Sequence, residues 1–294
     1  MQIVAAAPTA IAVNAPERPP ARARLARRVR RELGLAPPVP RDWVTGPPDF
    51  VGVGAQRSGT TWWFGLIAEH PGAHAARKEQ HFFDRFAERP FEESDAAAYA
   101  ARFPRPARAV TGEWTPRYMH DFWTPALLRR AAPDAKLVVL LRDPWARYLS
   151  GVAHEVRALR RELRFGKGVY LNATIADDAL DRSLYARQLA RLFEHFERSR
   201  VLVLQYERCC AEPVTELRRT CEFLGLDPAS WPARRIERRA GRPADAVESP
   251  RGSRSAVAAT IETDLDELRA LAPELDFALW PSAARLRTRG QRAA

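Results

Sequence analysis

Three short stretches of the chain are apolar almost without interruption: residues 50–54 (Phe-Val-Gly-Val-Gly), 136–141 (Lys-Leu-Val-Val-Leu-Leu) and 201–205 (Val-Leu-Val-Leu-Gln). Runs this short, with no polar alternation, predict strands covered on both faces, which is the habit of parallel sheets. Between them the apolar positions recur at helical spacing, predicting helices over residues 60–69, 125–132 and 183–196. His70-Pro71-Gly72 stops the first of these. Strands alternating with helices predict an α/β protein of three layers, with a central parallel sheet flanked by helices. The sequence carries no internal repeat.

Ahead of the first strong strand the pattern is different. Residues 1–20 are rich in Ala and Pro, and residues 22–35 read as a basic amphipathic helix with Leu25, Val29 and Leu33 on one side. Pro37, Pro38, Pro40, Pro47 and Pro48 then predict a stiff linker. The expected organisation is a flexible basic extension over residues 1–48 and one domain over residues 49–294.

Composition refines this picture only in part. Of 294 residues 46% are hydrophobic, enough for the core of a globular enzyme. Lys and Arg outnumber Asp and Glu by 47 to 36, a net charge of +11, which favours anionic partners without choosing among them. The abundance of Ala, Arg and Pro also fits a GC-rich bacterial genome. The basic residues are spread along the chain and lack zinc-finger spacing or an aromatic RNA-binding motif, which argues against a nucleic-acid-binding protein. Cys209 and Cys210 are adjacent and Cys221 stands apart, so no metal-ligand spacing or disulfide framework is expected, and a reducing cytoplasm suits them. No apolar run approaches the ~20 residues of a membrane span.

Strand ends followed by tight turns are where parallel sheets bind ligands. Residues 51–63 read Val-Gly-Val-Gly-Ala-Gln-Arg-Ser-Gly-Thr-Thr-Trp-Trp, a strand entering a glycine-containing loop and then a helix. Gly59 lets the backbone wrap an anion, Thr60 and Thr61 add hydroxyl donors, and Arg57 adds a charged fork. A nucleotide kinase or ATPase would place lysine directly after that glycine. Here Thr60 stands in its place and the cation comes earlier, at Arg57. Residues 137–151 repeat the theme, with Arg142 leaving a strand, Pro144 opening a helix and Ser150 two turns on. Arg142 can grip a phosphate in bidentate fashion and Ser150 can donate to the same group.

These two segments resemble the phosphate-binding motifs of the PAPS-dependent sulfotransferase family, where PAPS is 3′-phosphoadenylyl sulfate. The nearest motifs are those of the glycosaminoglycan (heparan sulfate) sulfotransferases and their bacterial relatives. The resemblance implies a P-loop-like fold. It makes Gln56, Arg57, Ser58, Gly59, Thr60 and Thr61 the loop for the 5′-phosphosulfate, and Arg142 with Ser150 the holder of the 3′-phosphate. Arg251, Gly252 and Ser253 resemble a late loop that closes over the nucleotide, with Arg254 as an alternative member.

Residues 77–84 (Arg-Lys-Glu-Gln-His-Phe-Phe-Asp) resemble the Glu-x-His-Phe-Phe-Asp stretch of the glycosaminoglycan enzymes. That likeness implies Glu79 as general base, with His81 and Asp84 close by. Read as residues alone, the segment supports one base without separating Glu79 from His81. In an extended segment the two would face one side and Lys78 the other; in a loop, Lys78 could instead serve the leaving oxygen. A competing reading makes Phe82 and Phe83 a core anchor. Residues 112–116 (Gly-Glu-Trp-Thr-Pro) resemble a Glu-Lys-Thr-Pro segment, with Trp114 where relatives carry lysine. Either Lys78 supplies the missing cation or the tryptophan stacks on an acceptor ring, and Glu113 becomes a secondary acid–base candidate. Residues 181–185 and 201–207 resemble further stretches of the same relatives, with residues 157–178 as an acceptor-facing region.

The function implied is sulfuryl transfer from PAPS to a hydroxyl or amine of a sugar-like or small natural-product acceptor, releasing 3′-phosphoadenosine 5′-phosphate (PAP). No metal is required, and no nucleic acid or stable membrane insertion is expected. The rival on the same fold is a P-loop kinase or NTPase, which would need the absent lysine and a magnesium-holding acid, for which Asp143 is the candidate.

Overall fold

The computed structural model describes residues 39–163, 173–230, 236 and 251–282. Most of the expected basic extension, including the helix at residues 22–35, lies outside the described residues. The proline-rich approach to the domain contains a strand, β1 (Trp43–Thr45), that was expected to be linker. It pairs antiparallel with β3 (Pro104–Pro106), and the Trp43 ring meets the edge of His74 at 4.6 Å.

The main sheet has four parallel strands in the order β4-β2-β5-β6: β4 (Gly112–Trp114), β2 (Phe50–Gly54), β5 (Lys136–Leu141) and β6 (Val201–Gln205). The three strands predicted from apolar runs are present with the predicted ends. Alternate residues of each face different layers. Val51, Val53, Leu137, Val139, Leu141, Val201 and Val203 join one core. Phe50, Val138, Leu140, Leu202 and Leu204 join the other. Two cores explain why these strands read as unbroken hydrophobic runs.

The first core is covered by α3 (Thr124–Ala131), α4 (Pro144–Leu163), α6 (Tyr185–His195) and α9 (Arg251–Leu271), with Leu128, Val152, Leu189 and Ile261 among the buried contributors. The second is covered by α1 (Thr60–Ala68) and α8 (Pro213–Leu224), through Trp63, Ile67, Leu217 and Cys221. The short helices α2 (Glu93–Ala100), α5 (Ala173–Asp181) and α7 (Tyr206–Ala211) complete the set used below. This is the expected α/β three-layer architecture. Among the described residues no helix is long and apolar enough to cross a membrane.

Strand β4 had no sequence signal, because Gly-Glu-Trp is short and carries a charge. It is nonetheless completely buried. Trp114 lies flat over Gly52, where a Cβ would come within 2.0 Å of the indole, and its Nε1 donates to the Gly54 carbonyl at 3.2 Å. Trp114 is therefore core. The alternative in which it stacks on an acceptor ring is overturned, since nothing of the side chain is exposed.

Candidate active site

In a parallel sheet the loops leaving all strands gather at one edge, and here β2 lies between β4 and β5, the next two strands of its sheet in chain order. The loop after β2 turns through two left-handed residues, Arg57 at φ 69° and Gly59 at φ 88°. Glycine is required at the second, because a Cβ would lie 2.7 Å from the Tyr206 ring. The first amides of α1 open onto this loop, the geometry that favours an anion. Ser58 and Thr60 are buried, and Thr61 is exposed.

The second anion motif meets the first directly. Arg57 Nε donates to Ser150 Oγ at 3.3 Å across 93 positions of sequence, and Arg142 Nη1 donates to the Arg57 carbonyl at 3.2 Å. The Arg142 guanidinium sits 5.4 Å from the Tyr206 ring centre. Burial lowers the Arg57 pKa, and the positive charges of Arg157 and Arg142 lower it further against a weaker opposing pull from Glu155. Arg157 and Arg142 thus both bring positive charge to the place that Arg57 occupies.

The strand end carrying Arg142 is held from several sides. Tyr185 Oη donates to the Arg142 carbonyl at 3.0 Å. The Asp143 N–H donates to Glu207 Oε1 at 3.0 Å, and Trp280 Nε1 donates to Glu207 Oε2 at 2.8 Å. Asp143 Oδ1 accepts from the Ala146 N–H and Oδ2 from the Ser282 N–H, each at 2.9 Å. Both carboxylate oxygens of Asp143 thus accept from backbone amides.

The segment 73–81 runs beside β4, with Ala76 N–H donating to the Gly112 carbonyl at 2.9 Å and Glu79 N–H to the Trp114 carbonyl at 3.0 Å. It does not stay extended. Glu79 and His81 have φ 61° and 51°, left-handed values that cost on the order of 1–3 kcal/mol each for residues other than glycine. The expected same-side arrangement of an extended segment is replaced by a loop. In it Lys78 Nζ reaches Glu79 Oε1 at 2.5 Å, and His81 Nδ1 lies 3.0 Å from Asp84 Oδ2. His81 Nε2 is 4.0 Å from Glu79 Oε2. Burial would raise the Glu79 pKa, but the Lys78 hydrogen bond and the charges of Lys78, His81 and His154 outweigh it and hold the carboxyl below its ordinary value. Glu79 is thus an ionised acceptor at neutral pH, half exposed, with a lysine on one oxygen.

What fixes this loop is a buried carboxylate. Glu113 is completely buried and accepts from Tyr99 Oη at 2.9 Å, Thr115 Oγ1 at 2.5 Å and the Gln80 N–H at 3.3 Å. Burial raises its pKa, opposed by those hydrogen bonds. The His81 N–H donates to Thr115 Oγ1 at 3.4 Å and the Phe82 N–H to Tyr118 Oη at 2.9 Å. Phe82 and Phe83 are core, packed on Tyr99 with ring centres 5.0 and 4.9 Å apart. The aromatic anchor and the polar loop are two halves of one device.

Helix α4 joins the two halves of the site. Ser150 bonds Arg57, His154 acts electrostatically on Glu79, and Arg157 acts on Arg57. Positions four and three apart share a helix face, so these residues form one stripe. Sequence reasoning found only Ser150. Extending its own helical spacing would have found the other two. Beside the loop, Ala55, Gln56, Arg117, His120 and Arg182 line a small cleft. Arg251, Gly252 and Ser253, expected as a closing loop, form instead the first turn of α9.

Fold and site together define an α/β protein with a glycine-containing loop at the end of β2 and a carboxylate–histidine segment beside it. The chain is similar to the sulfotransferase family. The model of that family matches residues 90–232. Heparan sulfate glucosamine 3-O-sulfotransferase 3B1 of Mus musculus is 30% identical over 185 residues, covering 61% of this chain and 46% of the relative. Heparan sulfate glucosamine 3-O-sulfotransferase 6 of Homo sapiens is 32% identical over 185 residues, covering 61% and 52%. The chain thus spans about half the length of the curated relatives it matches. A sulfotransferase crystal structure from Alicyclobacillus acidocaldarius superposes with a TM-score of 0.61 at 25% identity, covering 79% of this chain and 98% of that one.

Proposed function

We propose that the protein transfers a sulfuryl group from PAPS to a hydroxyl of a sugar-like or small polyhydroxyl acceptor, with an amine as the alternative nucleophile. Residues 49–294 would carry the activity. The acceptor oxygen forms a bond to sulfur while the bond from sulfur to the bridging phosphate oxygen breaks, releasing PAP. The acceptor proton passes to Glu79. His81, paired with Asp84, stands next to that carboxylate, and Lys78 is the cation best placed to stabilise the departing phosphate oxygen. For this, Lys78 must exchange Glu79 for the donor, which frees the base as the donor arrives. Trp114 occupies the position where relatives carry lysine, so Lys78 takes that task.

The observation that carries the proposal is the 3.3 Å bond from Arg57 to Ser150, which brings the two anion-binding motifs to one place. Residues 56–61 suit the 5′ end of the nucleotide, and Arg142 with Ser150 suit the 3′-phosphate that distinguishes it from ATP. The test is titration calorimetry with PAP, followed by turnover with PAPS and a panel of sugar and small-molecule acceptors. Wild type and Glu79→Gln should bind PAP alike, while only wild type turns over. Arg142→Ala should weaken PAP by on the order of ten- to a hundredfold. Wild-type protein that ignores PAP would end the proposal. Glu79→Gln with substantial activity would pass the base role to His81.

A further inference from the structure

Beneath the loop after β2 lies an arginine with no carboxylate partner among the described residues. Arg147 is 1% exposed. Its Nε donates to the Gln56 carbonyl at 3.0 Å, and Nη1 donates to the Ala179 carbonyl at 2.6 Å and Ser183 Oγ at 3.2 Å. Nη2 reaches Gln56 Oε1 at 3.5 Å. Every acceptor is neutral. Among the described residues no acid lies within ion-pair distance, and burial lowers the Arg147 pKa to about 10.

A buried cation normally needs a charged partner, because leaving water is costly and neutral acceptors repay only part of it. What this one gains is control of a single peptide. The peptide unit is planar, so the carbonyl of Gln56 and the N–H of Arg57 point in opposite directions. Drawing the carbonyl inward turns the N–H outward, to the side where Arg57 and Arg142 converge. That N–H has no hydrogen-bond partner among the described residues. Arg182 adds to the grip by donating Nη1 to Gln56 Oε1 at 3.0 Å. The segment 182–185 is thereby explained: Arg182 holds Gln56, Ser183 holds Arg147, and Tyr185 holds the Arg142 carbonyl.

We propose that Arg147 is a positioning residue for the nucleotide: it pins the 56–57 peptide so that the Arg57 N–H donates to the ligand's 5′ anion, and its own charge is balanced only when that anion is bound. The inference rests on the PAPS reading above. It requires that Arg147 act on donor affinity while never touching the donor.

The experiment measures PAP affinity by calorimetry, unfolding temperature, and KM for PAPS and for acceptor, in wild type, Arg147→Lys, Arg147→Met and Ser183→Ala. Arg147→Met should lose PAP affinity on the order of ten- to a hundredfold, with KM for PAPS rising in step and KM for acceptor unchanged. Lysine restores charge without the fork, so Arg147→Lys should recover part of the loss. Ser183→Ala removes one anchor and keeps the cation, so it should lose a few fold and remain folded even where the methionine variant does not. A purely structural role predicts a lower unfolding temperature with unchanged PAP affinity in the folded fraction of Ser183→Ala and Arg147→Lys. That result would overturn the inference while leaving the sulfotransferase reading intact. Wild-type protein without PAP affinity would overturn both.

Discussion

Glu113 invites a direct test, because chemistry and scaffolding predict opposite outcomes for the same pair of variants. Its carboxylate is buried, and three donors converge on it: the Tyr99 phenol, the Thr115 hydroxyl and the Gln80 N–H. In Glu113→Gln the amide oxygen can face Gln80 and Thr115 while the amide NH2 donates to Tyr99, whose hydroxyl rotates to accept. Every group keeps a partner, so stability should change by less than about 1 kcal/mol and turnover should survive. Glu113→Ala leaves the Tyr99 phenol and the Gln80 N–H without acceptors, while the Thr115 hydroxyl can rotate. Two orphaned donors at about 1–3 kcal/mol each give a loss on the order of 2–6 kcal/mol, before any cavity term. For a domain of this size that is a fall of roughly 5–20 °C in unfolding temperature.

The loop bearing Glu79 and His81 hangs from the same carboxylate, so turnover in Glu113→Ala should fall with stability while PAP affinity holds. Thermal unfolding, PAP calorimetry and turnover, run on both variants, decide the matter. An inactive Glu113→Gln with unchanged unfolding temperature would refute the scaffold and make Glu113 the base.

Two further outcomes follow from packing and charge. Gly52→Ala places a methyl 2.0 Å from the Trp114 indole, which is held by the Gly54 carbonyl, so overpacking should cost about 1–3 kcal/mol or more in denaturant unfolding; an unmoved midpoint would contradict the packing described. Asp264 accepts from the Tyr185 and Ala186 N–H groups at 2.7 and 3.0 Å, yet burial raises its pKa to about 6. The folded state therefore holds that proton more tightly than the unfolded chain. The resulting stability, on the order of 2–3 kcal/mol, is present below about pH 4 and is lost as pH rises through 6. Asp264→Asn should remove this falling segment from the stability–pH curve, and a parallel curve would show that Asp264 is not its source.

The strands were legible because each is a short run between two cores, and that double burial leaves no polar interruption. The turn after β2 was legible because its demands are local: a glycine where φ is positive and a helix start directly after it. Strand β4 was hidden by Glu113, a charge whose burial is tolerable only because Tyr99, Thr115 and Gln80 converge on it from distant positions. The conformation of residues 79–81 was hidden for a similar reason. No glycine marks the left-handed turns at Glu79 and His81, which are imposed by tertiary hydrogen bonds. The consequence of placing tryptophan at position 114 was also illegible, since its pocket exists only where Gly52 lies alongside.

A contrast in charge balance separates the two sides of the site. Under the proposed function the donor end is basic: Arg157 and Arg142 act on Arg57 against the pull of Glu155, and Arg147 beneath has only neutral hydrogen-bond acceptors among the described residues. Arg117, His120 and Arg182, which line the small cleft, each have an acid partner. Arg117 pairs with Asp121 at 2.8 Å, His120 lies 2.9 Å from Asp181, and Arg182 pairs with Asp178 at 2.9 Å. Like charges gathered in one place gain when an anion arrives, and that gain weakens as salt screens it. A paired wall gains little from a further charge, because each new contact must displace an existing one. Under the proposed function, ionic strength should therefore act on the affinity for PAP far more than on the affinity for a neutral acceptor.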